Sequence, residues 1–230
     1  MKQPLLVITF DDFFPSDYEV VYPVMRKLGI VGTSYVNTAT HLQRNKNRKD
    51  MDFWNAIRIM RASGWAIECH THKHTNVDIQ TEAQLRLDMT DLNTQFDLQG
   101  LATPRHHALP YGMHSPLALA TIDDYRVTIR TVEEGLEDWD TANLLFLKGI
   151  SMDMHTETEL DFHKSQVLDA IANDKIMITY SHEQSPTGTL TNWTGKIDLF
   201  VSFLEWVVTQ PIRIVTMEQM YQMVKAHQAV

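Results

Sequence analysis

The sequence predicts an α/β fold: a distorted (β/α) barrel with seven or eight mainly parallel strands. Three observations carry that expectation. Short β-rich runs alternate with longer helical patterns along the whole chain. Polar residues of the types that build sites follow the ends of several of those runs, the face on which (β/α) barrels place their chemistry. No low-complexity tract, repeat or Gly/Ser linker interrupts the alternation, so residues 1–230 are expected to form one domain.

Taken in order, Leu5 to Phe10 is an apolar strand, and Tyr18 to Leu28 carries apolar residues at helical spacing before Gly29. Val31 to Val36 reads as a second strand. Asp52 to Ala62 is amphipathic and stops at Gly64, and Trp65 to Cys69 is a third strand. Thr81 opens a long helix to about Leu98, closed by Gly100. Arg105 to Leu109 then reaches the turn signal Pro110-Tyr111-Gly112, and Ser115-Pro116 starts a short helix. Strands are expected at Tyr125 to Val132, Leu144 to Ile150, Lys175 to Tyr180 and Ile212 to Val215. Helices are expected over Glu157 to Asn173, Lys196 to Val208 and from Met217 onward.

Composition excludes several classes. A net charge of −9 argues against nucleic acid or anionic membrane as the main partner. The densest basic stretch, Arg44 to Lys49, lacks interleaved aromatics and reads as a solvated loop. The single cysteine, Cys69, rules out an internal disulfide and reads as a buried apolar residue. No apolar run approaches the ~20 residues of a membrane span, and no N-terminal signal peptide is visible, which leaves the compartment open. Asn192-Trp193-Thr194 fits a glycosylation pattern that chance also explains.

The informative residues stand where strands stop. The first strand ends in Asp11-Asp12 and the third in His70-Thr71-His72-Lys73-His74; Tyr111 follows the fourth and His182 a late one. Carboxylate and imidazole are ligand types that a divalent metal accepts. His70 and His74, four apart, can converge on one ion from a helical turn or tight loop. A His-rich surface loop is the plainer alternative for a bare His-x-x-x-His. Neighbouring Asp11 and Asp12 alternate on an extended backbone, so one can ligate while the other stays free to move a proton.

Thr9-Phe10-Asp11-Asp12, His70-Thr71-x-x-His74, Pro110-Tyr111-Gly112 and Ile178-Thr179-Tyr180-Ser181-His182 resemble, in order and spacing, the motifs of NodB-homology polysaccharide deacetylases. The resemblance spans nearly the whole chain. It implies a barrel of NodB-homology type and metal-dependent removal of N-acetyl groups from N-acetylglucosamine-containing glycans. By that resemblance Asp12, His70 and His74 hold the metal, Asp11 is the general base, His182 the general acid, and the Tyr111 backbone N–H meets the oxyanion. The implied cofactor is a divalent ion, zinc first, with cobalt or nickel as alternatives. The implied partner is an acetylated glycan or oligosaccharide.

Two departures matter. Many members carry arginine two residues before the third-motif proline, to orient the catalytic base; here that position is Ala108. A small residue there resembles the poly-N-acetylglucosamine branch. His106 shares Ala108's strand parity and is expected to reach the same region. The fourth motif, an Asp and a Trp, is sought in Glu137-Asp138-Trp139-Asp140, with Trp139 either walling an acetyl pocket or anchoring a polar loop. The rival readings are an amidase for small acyl or cyclic amides and a glycan-binding module without turnover.

Overall fold

A parallel sheet curls around a narrow interior, with helices packed on its outer face. The computed structural model describes residues 2–39, 52–185, 191 and 193–229; the basic stretch Arg44 to Lys49 and Asn192 lie outside the described residues. The chain runs β1 (Leu5–Asp11), α1 (Tyr22–Lys27), β2 (Thr33–Val36), α2 (Phe53–Ala62), β3 (Ala66–Cys69), α3 (Glu82–Leu98), β4 (His106–Ala108), α4 (Pro116–Asp123), β5 (Thr128–Arg130), β6 (Ile150–Ser151), α5 (Glu157–Ala172), β7 (Ile176–Ser181), β8 (Glu183–Ser185), β9 (Thr194–Lys196), α6 (Ile197–Val207), β10 (Arg213–Val215) and α7 (Met217–Gln228).

The main sheet has eight strands in the order β5-β4-β3-β2-β1-β7-β6, with β10 also paired to β1. All its pairings are parallel. β1 is buried along its whole length, as expected of a strand covered on both faces. Its alternation sorts the core. Leu6, Ile8 and Phe10 join the layer between sheet and helices, whereas Leu5 and Val7 join Ala108, Leu147, Ile176, Ile178 and Val215 inside the barrel. The run before β6 links the two ends of the sheet: Leu147 N–H donates to Ile129 C=O, Thr131 N–H donates to Leu147 C=O, and β6 then pairs with β7. The expected distorted (β/α) barrel is therefore present.

The helices follow their signals. Thr81 and Gln84 form a reciprocal capping box on α3, and Thr156 with Glu159 does the same for α5. α2 buries Phe53, Ala56, Ile57 and Met60, one stripe at helical spacing. The helix expected from Tyr18 opens instead as a π-turn over Asp17–Val21 and becomes α-helical at Tyr22. Pro23 has no N–H to return to the preceding turn, and the wider turn falls just ahead of it. The Leu144 to Ile150 run is mostly irregular, touching β5 through a bridge from Leu147 to Arg130 and through the Ile129 N–H, which donates to Leu144 C=O. β8 and β9, a two-stranded parallel pair, were not expected, since neither Glu183–Ser185 nor Thr194–Lys196 is an apolar run.

Candidate metal centre and active site

β1 ends by breaking its own geometry. Asp12 and Phe13 both have positive φ, 75° and 55°, so the chain turns sharply as it leaves the sheet. Asp12 thereby swings toward the end of β3. That strand is followed by a loop, not a helix, in which Thr71 (φ 62°) and His74 (φ 52°) are also left-handed. Asp88 of α3 pins this loop by accepting the backbone N–H groups of His72 (2.6 Å) and Lys73 (3.2 Å). His72 turns away from the cluster, its Nδ1 lying 2.7 Å from Thr38 Oγ1.

Asp12, His70 and His74 each bring one ligand-type atom to a common place, all within 4.8 Å of one another. Asp12 Oδ1 is 3.2 Å from His74 Nε2 and 4.0 Å from His70 Nε2. The opposite ring nitrogens are already engaged. His70 Nδ1 donates to Ala108 C=O at 2.9 Å, and His74 Nδ1 shares a 3.1 Å hydrogen bond with the Tyr111 hydroxyl. Metal-binding histidines are held in this way, with one nitrogen fixing the ring and the other, here facing Asp12, turned toward the common place. Asn37 donates to Asp12 Oδ1 from behind. The donor set of two imidazoles and one carboxylate fits a zinc-like divalent ion.

Asp11 points the other way, into the barrel, with the parity of Leu5 and Val7. Arg130 Nη2 donates to its Oδ2. Arg130 is fully buried on β5, in register with Ala108 on β4. The small side chain at 108 leaves the interior open for an arginine arriving one strand further along. The guanidinium lies over the rings of Tyr180 (4.6 Å) and Tyr35 (5.5 Å). Burial pushes the Asp11 carboxyl up, but the Arg130 charge and hydrogen bond, with help from His70 and His182, leave it below the usual range. Its Oδ1 is buried with no hydrogen-bond partner among the described residues.

His182 follows β7 on the far side of the same opening. Its backbone N–H donates to Asp153 Oδ1 at 2.8 Å and its Nδ1 to Asp153 Oδ2 at 2.6 Å, which leaves Nε2 without a hydrogen bond among the described residues. Burial depresses the imidazolium, yet the Asp153 hydrogen bond and the charges of Asp153, Asp11 and Asp12 outweigh it, so its pKa stands above the ordinary value. Asp17, wholly buried in the π-turn, has its carboxyl pushed well above the usual range by burial first and by the charge of Asp12.

All six residues singled out by sequence line or adjoin one cavity of about 260 Å³: Asp11, Asp12, His70, His74, Tyr111 and His182. Tyr111 is left-handed (φ 59°), and the following Gly112 (φ 68°) has no room for a side chain, since a Cβ would come within 2.1 Å of Val132. One secondary expectation is corrected, and one open alternative is decided. His106 sits at the opposite end of β4, fully buried, with its ring nitrogens on Thr128 Oγ1 (2.9 Å) and Glu218 (2.7 Å); its parity is right but it lies two residues too early to reach the site. Trp139 is also remote: Glu137 bridges Ile176 at the start of β7, and the buried Trp139 indole donates to Gln3 C=O. Its segment is a structural anchor, with Asp138 paired to Lys175 and Asp140 to Lys2. Arg130 and Asp153 are the site residues that sequence reasoning missed.

The sequence profile described as "Polysaccharide deacetylase" matches residues 1–130, more than half of the chain. The chain belongs to the polysaccharide deacetylase family. A curated relative, the poly-beta-1,6-N-acetyl-D-glucosamine N-deacetylase of Staphylococcus aureus (strain MRSA252), is 30% identical over 79 residues, 34% of this chain and 27% of that protein. The chain thus spans about a third or less of the curated relatives it matches. Two solved structures share the fold over nearly the whole chain. The Xyl-CE4 domain of a multidomain xylanase from the hindgut metagenome of Trinervitermes trinervoides has a TM-score of 0.67 at 14% identity, covering 96% of this chain and 91% of that one. A family 4 acetyl xylan esterase from Clostridium thermocellum, in complex with cobalt, has a TM-score of 0.63 at 18% identity, covering 95% and 91%. The barrel is accordingly of the NodB-homology type.

Proposed function

We propose that this deacetylase removes N-acetyl groups from N-acetylglucosamine-containing glycans, with a divalent metal held by Asp12, His70 and His74. The observation that carries this reading is the meeting of those three side chains beside a carboxylate held by Arg130 and an imidazole held by Asp153. The relative named for poly-N-acetylglucosamine supports the substrate class, and the esterase solved with cobalt supports the metal.

When bound, the ion supplies Lewis acidity for a water and for the acyl oxygen. Asp11 Oδ1 accepts the proton of the attacking water, and Arg130 keeps that carboxylate ionised. The Tyr111 peptide N–H donates to the oxyanion as it forms, a contribution of roughly 3–4 kcal/mol for one well-placed donor. His182, protonated and oriented by Asp153, delivers a proton from Nε2 to the departing sugar nitrogen. Ala108 motivates the rival reading of a glycan-binding module without turnover; the Arg130 guanidinium on Asp11 supplies the partner that position 108 lacks and supports turnover.

The test is metal analysis of the purified protein paired with acetate release from chitin-type, β-1,6-linked and peptidoglycan substrates. Stoichiometric metal with acetate from at least one glycan is expected. Bound metal and glycan affinity without acetate would return the reading to the binding module.

A further inference from the structure

Two aromatic rings stand at the cavity rim and take no part in the proton transfers above, although the Tyr111 hydroxyl also holds the His74 ring. Tyr111 and Trp193 are 58% and 56% exposed, a costly way to keep large rings in a folded protein. Both border the cavity that holds Asp11 and His182. Each is braced against a site histidine: Tyr111 packs on His74 (centroids 4.7 Å, 66°) and Trp193 on His182 (5.1 Å, 70°). Trp193 is also fixed through its backbone, its N–H donating to Thr191 Oγ1 and its C=O accepting from Glu183 N–H, both at 3.2 Å. The remaining tryptophans are buried or half-buried.

We infer that Tyr111 and Trp193 are the two walls of a sugar subsite, and that Trp193 selects an N-acetylated pyranose chain over a small amide. The inference rests on the function proposed above. An acetyl group reaching the metal-binding cluster enters the inner part of the cavity, beside Asp12, His70 and His74. The rest of the substrate must then pass the rim, where both rings stand. A pyranose with equatorial substituents offers apolar C–H faces, and the electron-rich face of an indole or phenol packs well against them. A small cyclic amide occupies the inner part alone and leaves Trp193 uncovered.

The experiment compares wild type, Trp193→Ala and Trp193→Phe, metal-loaded, on an N-acetylglucosamine trimer and an aryl acetate, with kcat and KM read separately. Binding of the trimer is measured by calorimetry in Asp11→Asn protein with and without Trp193→Ala. We expect Trp193→Ala to lower the trimer-to-ester ratio of kcat/KM about tenfold, mostly through KM, and to weaken trimer binding similarly. Trp193→Phe should restore most of both. Equal losses on the two substrates, or unchanged trimer binding, would overturn the inference and leave Trp193 a brace for His182. Trimer binding without acetate release would defeat the deacetylase reading, while the subsite would still stand or fall on the Trp193→Ala titration.

Discussion

Arg130 and Asp11 stand 119 residues apart in sequence and meet inside the barrel, where the guanidinium donates to Asp11 Oδ2. The partner of Asp11 thus comes from β5, while the equivalent place on β4 is Ala108, its neighbour in the ladder. The two positions share a face, so an arginine on either strand can reach the same carboxylate. Buried between Tyr35 and Tyr180, Arg130 has few alternative rotamers, which fixes the orientation of Asp11 as well as its charge.

Removing that arginine should affect rate more than metal content. In Arg130→Ala the buried carboxylate loses its counter-charge, its pKa rises, and less of it is ionised at neutral pH. We expect kcat to fall roughly 10–100-fold, as for other groups that orient a reacting residue, with the acidic limb of the pH profile moved upward. Breaking a buried pair also costs about 3–5 kcal/mol of stability, so Arg130→Lys, which keeps the charge without the fork, is the companion variant. A full-rate Arg130→Ala enzyme would dismiss the role.

The metal and the proton acceptor should separate cleanly. His74→Ala removes one of three donors, and stoichiometric zinc should be lost with the activity. Asp11→Asn retains the donors and should retain the metal, with a rate loss of about 10²–10⁴-fold. Metal analysis with acetate release on the two variants checks both statements. Zinc retained at full occupancy in His74→Ala would mean that the ligand set is wrong.

The pH dependence on the alkaline side should belong to His182 and Asp153. In the proposed mechanism His182 gives up a proton and so works only while protonated; burial lowers its pKa, but the Asp153 hydrogen bond and charge help to raise it above the ordinary value. The alkaline limb of kcat is therefore expected above the range of a free imidazole. Asp153→Asn removes the charge that sustains it, so the limb should move to lower pH. The variant should lose more activity at pH 8 than at pH 6. A kcat profile that loses height without shifting would deny Asp153 this influence.

Most of the site was legible because its residues end apolar strands. Asp11-Asp12, His70 and His182 follow β1, β3 and β7, and burial of those strands makes a polar ending conspicuous. Arg130 gave a weaker signal, as one charged residue within the run Tyr125 to Val132. Its parity with Thr128 and with Ala108 across the ladder was the clue, and the register that reveals it exists only in the folded sheet. Asp153 was obscured because it follows a two-residue strand in a run, Ser151-Met152-Asp153-Met154, that carries no periodicity. Trp139 drew attention by composition, yet an aromatic flanked by acids suits an anchor at the barrel's other end equally well. His106 shows the limit of alternation: it gives the face of a strand but not the depth.

That remote end of the barrel has its own pH signature. Glu218, near the start of α7, accepts from Arg105 at 2.6 Å, from His106 at 2.7 Å and from Gln222 at 2.7 Å. The His106 hydrogen bond, above all, holds its carboxyl down at about 2, against 4.5 for the free side chain. A depressed folded-state value means that the stabilisation is complete above the unfolded pKa and disappears as pH falls from about 4.5 toward 2. Glu218 has a side chain 34% exposed, so solvent screening reduces the contribution to ~1–2 kcal/mol. Glu218→Gln should accordingly lower stability in urea at pH 7 by about that amount, and the gap from wild type should narrow steadily between pH 5 and pH 3. A gap of the same size at both ends of that range would show that packing of α7, not the carboxylate's charge, is what the substitution disturbs.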